Sequence, residues 1–223
     1  MKYILHINTA LENAFVGITH EDVVLAERRN PVQMEHASFV QPAIKEMMDE
    51  FSIPWKDVKA VSVIIGPGSY TGLRVGLAAA KGICYAWNLP IIPISTLEWL
   101  AAPFENGPYD LIVPMIDARR MEVFTAIYSS KLEILKEPHA LILDDQSYSE
   151  FILDQRKILF TGNGAVKLHT TISALQSISI AISHAGIKEQ NILSRRKMNS
   201  KIYSDIAYLE PEYVKAFYST AIK

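Results

Sequence analysis

The chain has 223 residues, of which 49% are hydrophobic and 21% are charged, and its formal net charge is −2. This balance excludes a broad basic surface for nucleic acid or anionic membrane. The one cysteine, Cys84, excludes an internal disulfide and a cysteine-rich zinc site. No apolar run approaches the roughly 18 residues of a membrane span, and the N-terminus lacks a signal peptide pattern. We therefore expect a cytoplasmic protein without a membrane partner.

The first half of the chain predicts strands, a helix and a glycine-rich turn. The runs YILHIN, NAFVGIT and VVLAERR predict an antiparallel meander. EHASFVQPAIKEMMDEF has helical spacing, in which Pro42 marks a kink or a helix start. AVSVII is typical of a strand covered on both faces and leads through a glycine loop into a helix of about 15 residues. IIPIS predicts a further strand, and Ser95 and Glu98 have the form of a capping box for the next helix.

The second half predicts another set of strands after a linker, PFENGPYD, at 103–110. LIVPMID, EVFTAIYSS, ALIL, KILF and ISIAIS are the predicted strands, and SYSEFIL and AGIKEQNILSRRK are the predicted helices. We expect a first lobe at 1–104, to which the tail at 208–223 returns, and a second lobe at 105–207.

A weak internal repeat relates the two halves. Residues 7–18 overlay residues 116–127 without gaps, and Asn8 and Asp117 both end the first strand of their copy. The match is short enough to arise by chance. If it reflects a duplication, it implies two lobes of similar topology that face a cleft.

The loop GPGSYTGLRVG, at 66–76, fits none of the common glycine motifs. A Walker A loop needs lysine after its last glycine, where Leu73 stands, and a dinucleotide loop needs glycine at Thr71. The hydrolase elbow fails because Ser69 directly follows a glycine. A well-capped strand-to-helix turn is the favoured interpretation. The alternative is an anion at the helix N-terminus, with the phosphate contacts being Gly66, Gly68, Ser69, Thr71 and, from the second repeat, Asp117.

The helix after the loop carries small residues at i, i+4, i+7 and i+8. Glycine inside a helix costs roughly 1 kcal/mol relative to alanine, so Gly76 and Gly82 need a compensating reason. Close approach of another helix is such a reason, and that helix is either internal or part of another subunit. The predicted partner interface consists of Gly72, Leu73, Gly76, Leu77, Ala79 and Ala80. We expect Gly76→Leu to abolish a partner complex while leaving the fold intact.

The remaining polar residues predict neither a catalytic nor a metal site. The six histidines form no H-x-x-x-H or H-E-x-x-H pattern. His6 is expected to be a partly buried structural residue, and His36 a surface or capping residue at a helix start. The segment from Asp117 to Arg120 is either a hairpin turn with solvated arginines or a contact for phosphate, RNA or a partner's carboxylates. No basic stripe interleaved with aromatic residues predicts an RNA surface.

Five segments resemble the bacterial TsaB (YeaZ) family. GPGSYTGLRVGLAAAKGICYAWNLPIIPISTLEWLA is similar to the family's glycine segment, and ILHINTA to its first strand. PMIDARRMEVFTAIY, FTGNGA and LEPEYVKAF resemble its DARR, G-[DN]-G and C-terminal segments. The matches run in order over nearly the whole chain, which is thereby identified as a member of the family.

The resemblance implies an α/β, two-lobed fold of the actin/Hsp70/sugar-kinase type, with a duplicated mixed β-sheet plus helices. The family works in forming N6-threonylcarbamoyladenosine at position 37 of tRNAs that read ANN codons. Its members pair with the paralogue TsaD, which carries a metal-bound active site, and with the ATPase TsaE, so contact with tRNA is indirect. The resemblance also implies a non-catalytic subunit that activates TsaD through a helix interface of the first lobe, and a homodimer when alone.

Several residues depart from active relatives. The paralogue's metal ligands include H-x-x-x-H, whereas here His36 is followed four residues later by Val40. Asn8 stands where superfamily ATPases carry an aspartate that orients Mg²⁺. We expect no metal and no tightly bound cofactor, and ATP or ADP at the partner interface stays open. One enzyme alternative is an ATPase or phosphotransferase that uses Asp117 and the helix N-terminus. The other, a peptidase, lacks a metal cluster or triad.

Overall fold

The computed structural model describes residues 3–168 and 178–215. Its internal contacts divide the chain into two compact units. The first consists of Met1–Pro103 and His184–Glu212, and the second of Phe104–Ser183 and Tyr213–Lys223.

Strands and helices alternate along the described residues. The strands are β1 (Tyr3–Asn8), β2 (Ala14–His20), β3 (Val23–Asn30), β4 (Val58–Gly66), β5 (Ile91–Ser95), β6 (Leu111–Asp117), β7 (Glu122–Ser129), β8 (Ile134–Ile142), β9 (Ile158–Thr161) and β10 (Ile178–Ala181). The helices are α1 (His36–Glu50), α2 (Tyr70–Trp87), α3 (Thr96–Ala101), α4 (Ser149–Leu153) and α5 (Ile187–Asn199). Short 3₁₀ turns span Gln33–Glu35, Trp55–Asp57, Ala102–Phe104 and Ala165–Lys167.

The first unit is built on a mixed sheet of order β3-β2-β1-β4-β5. β1, β2 and β3 form the predicted antiparallel meander, while β4 runs parallel to both β1 and β5. Leu5, Ile7 and Val63 pack with residues of α1 and α2 in one buried cluster. Because successive side chains of a strand point to opposite faces, α1 and α2 cover one face of the sheet and His6 and Ser62 lie on the other.

Helix α5 covers that other face. Ile187 and Leu193 are buried, and Gln190 donates to the Ser62 hydroxyl over 3.0 Å. The chain segment from 184 to 207, which was expected in the second lobe, therefore packs in the first unit. The break between the units at 103/104 lies at the start of the predicted linker. Residues 208–212 lie in the first unit as expected, 213–215 lie in the second, and 216–223 are outside the described residues.

The second unit repeats the sheet of the first. Its order, β8-β7-β6-β9-β10, matches β3-β2-β1-β4-β5, with an antiparallel meander followed by two parallel strands. The duplicated topology inferred from the short repeat is confirmed. The registers differ by one residue, because Asn8 pairs with Phe15 whereas Asp117 pairs with Val123. The gapless overlay is therefore broken within the hairpin turn.

Candidate functional site

The loop after β4 is shaped by the tail of the chain. Gly66 has a φ of +135°, a conformation that side chains rarely adopt. A Cβ at this position would lie 2.5 Å from the carbonyl oxygen of Glu212, whose own N–H donates to Ile65 over 2.7 Å. Gly66 is thus required both by its backbone angle and by the close approach of the tail.

The N-terminus of α2 is closed by the loop that follows β1. The Ser69 N–H donates to the Ala10 carbonyl over 2.7 Å, and Cβ atoms at Gly68 and Gly72 would overlap the carbonyl oxygens of Ala10 and Thr9. The Ser69 hydroxyl caps the helix by accepting from the Gly72 N–H over 3.3 Å. These contacts support the capped-turn interpretation, because the chain itself occupies the space beside the glycines.

The predicted phosphate contacts fall into two groups. Gly66, Gly68, Ser69 and Thr71 lie together at the start of α2, and the Thr71 side chain is exposed. Asp117 lies in the other unit. A phosphate site at these residues stays a prediction.

The predicted interface residues on α2 are inside the first unit. Leu73 and Ala80 are fully buried, and a Cβ at Gly76 would overlap the Thr9 hydroxyl, which donates to the Gly72 carbonyl over 2.6 Å. The whole set is buried: Gly72, Leu73, Gly76, Leu77, Ala79 and Ala80. This placement does not fit a surface for another protein. Of the two alternatives, the structure supports the internal one for Gly76, and the approaching element is the loop after β1 and not the expected helix.

The opposite face of α2 is open. Arg74, Ala78, Gly82 and Tyr85 are exposed, and 82% of the Tyr85 surface is accessible. A Cβ at Gly82 would meet nothing within 4 Å. Among the residues that the structure describes, no contact therefore compensates the cost of glycine in the helix at Gly82. The sequence shows that the cost of glycine at position 82 of the helix needs a compensating contact. It does not show that Gly82 belongs to an exposed face of α2.

Asp117 is engaged by its neighbours at the end of β6. Its carboxylate accepts from the Lys167 ammonium and from the Arg119 N–H, each over 2.6 Å. Its N–H donates to the Asn163 side chain over 2.9 Å. The hydrogen bond from Lys167 holds the pKa of the Asp117 carboxyl below its ordinary value. The carboxylate is thus already paired with a cation of its own unit.

Two histidines are buried inside the first unit: His6, as expected for a structural residue, and His36, for which the expectation of a surface or capping residue was wrong. His6 is fully buried, and its Nε2 lies 2.9 Å from the Thr19 hydroxyl, which donates to the Asn191 side chain over 2.9 Å. Burial lowers the pKa of His6 to about 3. His36 is also buried, and its Nε2 lies 3.1 Å from the Leu11 carbonyl. Neither ring is presented as a metal ligand.

Residues 3–168 and 178–215 contain neither a cluster of metal ligands nor a membrane-spanning helix. No three histidine, cysteine, aspartate or glutamate side chains come together as metal ligands would. Within the same residues, no helix combines the length and apolar character needed to cross a bilayer.

Solved structures share the fold. A crystal structure from Pseudomonas aeruginosa, of an uncharacterized protein with similarity to the peptidase YeaZ, has a TM-score of 0.82 at 19% identity, covering 96% of this chain and 100% of that one. YeaZ from Pseudomonas aeruginosa has a TM-score of 0.77 with the same identity and coverage. At this identity the likeness concerns the fold alone. With the duplicated sheet, it confirms the α/β fold of the actin/Hsp70/sugar-kinase type.

Sequence comparisons agree on the family. A family model described as "TsaD: tRNA N6-adenosine threonylcarbamoyltransferase" matches residues 30–215. The tRNA threonylcarbamoyladenosine biosynthesis protein TsaB of Bacillus subtilis is 32% identical over 168 residues, which are 72% of this chain and 70% of that protein. TsaB of Escherichia coli is 33% identical over 127 residues, 56% of this chain and 54% of that protein. The chain therefore belongs to the TsaB (YeaZ) family of tRNA threonylcarbamoyladenosine biosynthesis proteins.

Proposed function

We propose that the chain is a non-catalytic subunit that binds TsaD and activates it in the threonylcarbamoyl transfer to position 37 of tRNAs reading ANN codons. Membership of the TsaB family supports a role in this modification. In the proposed assembly TsaE joins as the ATPase, and TsaD brings the tRNA. Without TsaD the chain pairs with a second copy of itself.

The open face of α2 is the observation that carries the partner role. The face is defined by Arg74, Ala78, Gly82 and Tyr85, all of them exposed. Its two small residues are one helical turn apart, which allows the backbone of another helix to approach closely. Tyr85 supplies the kind of large aromatic side chain that anchors protein interfaces. We propose that TsaD contacts this exposed face and not the buried residues of α2, from Gly72 to Ala80. The contact forms in the cytoplasm.

The polar groups support a subunit without hydrolytic activity of its own. Asn8 ends β1 with a neutral amide whose oxygen accepts from the Ala10 N–H over 3.1 Å, so it brings no charge for a divalent cation. Asp117, the equivalent residue of the second unit, is paired with Lys167 at 2.6 Å. An ATPase or phosphotransferase would need one of these positions to hold a metal-bound phosphate. ATP or ADP at the TsaD interface remains compatible with the proposal.

Gly82→Leu is expected to weaken TsaD binding at least about 100-fold while leaving the monomer folded, because leucine at an open helix position blocks the approach of a partner without crowding the chain itself. The measurement is calorimetric titration with TsaD, together with the thermal midpoint of each variant. Lys45→Leu, at an exposed position of α1, is the matched control and should bind normally. Normal TsaD affinity in Gly82→Leu would refute the proposed docking face.

The activity itself is tested by reconstitution. TsaD, TsaE, a threonylcarbamoyl donor and an unmodified tRNA reading an ANN codon are incubated with and without the chain. We expect modification only when the chain is present, and no ATP hydrolysis by the chain alone with Mg²⁺ or Mn²⁺. ATP turnover by the pure chain that is lost in Asp117→Ala would instead establish the enzyme alternative.

A further inference from the structure

The turn between β6 and β7 holds two adjacent arginines in an unfavourable backbone conformation. Arg119 has a φ of +71° and Arg120 a φ of +50°. Residues with side chains rarely adopt this region, and turns that require it favour glycine, asparagine or aspartate. Arginine offers neither the freedom of glycine nor the local hydrogen bonds of asparagine. Turn formation favours other residue types at these two positions, although the chain also places Leu132, Tyr148 and Lys201 at positive φ.

The surrounding contacts hold the turn in place. The Arg119 N–H donates to the Asp117 carboxylate over 2.6 Å, and that carboxylate is fixed by Lys167. The Glu122 N–H donates to the Arg119 carbonyl, and the Ala118 N–H to the Glu122 carbonyl, each over 3.1 Å. The two arginines thus project from a backbone that is already ordered, which lowers the entropy lost on binding.

The arginine turn, defined as residues 118–121, lies in a cationic cluster. Both arginines are exposed, and with the residues that the structure describes neither side chain makes a hydrogen bond or an ion pair, although the charge of Arg119 contributes to the lowered pKa of the Asp117 carboxyl. The adjacent ion pairs join Lys167 to Asp117 at 2.6 Å and Lys215 to Glu122 at 2.8 Å. Since Asp117 and Glu122 balance only the two lysines, the two arginines leave this cluster net positive in a chain whose net charge is −2.

We propose that the arginine turn binds the phosphate backbone of tRNA directly. Guanidinium groups form bidentate hydrogen bonds with phosphates, and two adjacent ones on a stiff turn suit consecutive phosphates of an RNA strand. The repeating phosphates of an RNA strand match two adjacent positive charges better than the scattered carboxylates of a protein surface do. We therefore take RNA as the partner, and an acidic protein is the alternative that the test below separates. The proposal rests on the proposed function and extends it, since there the tRNA is brought by TsaD.

The double variant Arg119→Asn/Arg120→Gly separates the backbone effect from the charge effect. It suits the positive φ values and removes both charges, so the thermal midpoint should rise by about 2–4 °C while tRNA binding weakens. The measurement is fluorescence anisotropy of an unmodified tRNA transcript titrated with the chain and TsaD between about 50 and 200 mM salt. We expect the affinity to fall about tenfold, and the slope of log K against log salt to become shallower by about 1.5.

Two further variants complete the test. Lys131→Gln/Lys136→Gln removes two exposed charges of the same unit and should change neither affinity nor slope. Arg119→Lys/Arg120→Lys keeps the charge and should keep most of the slope while losing part of the affinity. Unchanged tRNA binding in Arg119→Asn/Arg120→Gly would overturn the proposal, as would loss of its TsaD complex, which would indicate a protein contact.

The same samples are scored for TsaD binding by size-exclusion chromatography. If wild type forms no complex, the proposed function fails and the tRNA titration is repeated with the chain alone at about 50 mM salt. Weaker binding by Arg119→Asn/Arg120→Gly than by wild type then still supports the arginine turn, and equal or absent binding rejects it.

Discussion

Replacing Gly76 with leucine is expected to destabilise the first unit by about 3 kcal/mol or more, because the new side chain would overlap Thr9 and the core behind it. The unfolding free energy from urea denaturation measures the effect. From the sequence alone, we expect Gly76→Leu to leave the fold intact, so the structure reverses that expectation. The difference arises because Gly76 faces the loop after β1 and not solvent.

Gly82→Ala is the control for this experiment. It lies on the same helix, but its Cβ would enter open space, so alanine should raise the unfolding free energy by about 0.4–1 kcal/mol. A stable, cooperatively folded Gly76→Leu would contradict the packing of α2 described above. So would a loss of stability in Gly82→Ala.

Acid should destabilise the first unit through His6. The folded-state pKa of His6 is about 3, below the ordinary value of 6.5, because the ring is fully buried. The unfolded chain therefore binds a proton first, and stability falls as the pH drops from 6.5 towards 3. At pH 5 the loss from this group is about 2 kcal/mol relative to pH 7. Urea unfolding at both pH values measures it.

The variant His6→Gln isolates this contribution from that of the carboxylates. Its amide nitrogen can donate to the Thr19 hydroxyl as His6 Nε2 does, but it does not titrate. The variant should be less stable than wild type at pH 7 and should lose less stability between pH 7 and pH 5. An equal loss in both proteins would mean that His6 is not the group responsible.

The local elements were predictable because their signals are local. Each signal depends on neighbouring residues only. The signals are the alternation of apolar and polar residues in the meander strands, the apolar run of β4 and the helical spacing of apolar residues in α1. The repeat around Asn8 and Asp117 also indicated the duplicated sheet. The gapless overlay did not show that strand pairing in the two hairpins differs by one residue, because this difference arises in the turns.

The orientation of α2 could not be read from the sequence. Small residues occur on two of its faces, at Gly72 and Gly76 and again at Ala78 and Gly82. Which face turns inward depends on the loop at Thr9, more than 60 residues earlier by sequence separation. The spacing of glycines identifies close approach, but it does not identify the element that approaches.

Tertiary contacts also give some polar residues hydrogen-bond partners that the sequence does not predict. Ser95 has the spacing of a capping box, yet its hydroxyl donates to the Gly66 carbonyl over 3.3 Å and makes no cap to α3. Helix α5 follows the second set of strands in sequence but packs on the first sheet through Gln190, Asn191 and other polar residues. A helix whose buried face is largely polar gives no hydrophobic signal of where it docks.

The direct test of the central claim is light scattering of the chain mixed with TsaD. We expect a complex whose mass corresponds to both proteins, formed by wild type and by Lys45→Leu and lost in Gly82→Leu, with the lone chain eluting as a homodimer. Elution of wild type and TsaD as separate species, with or without ATP, would contradict the proposed function.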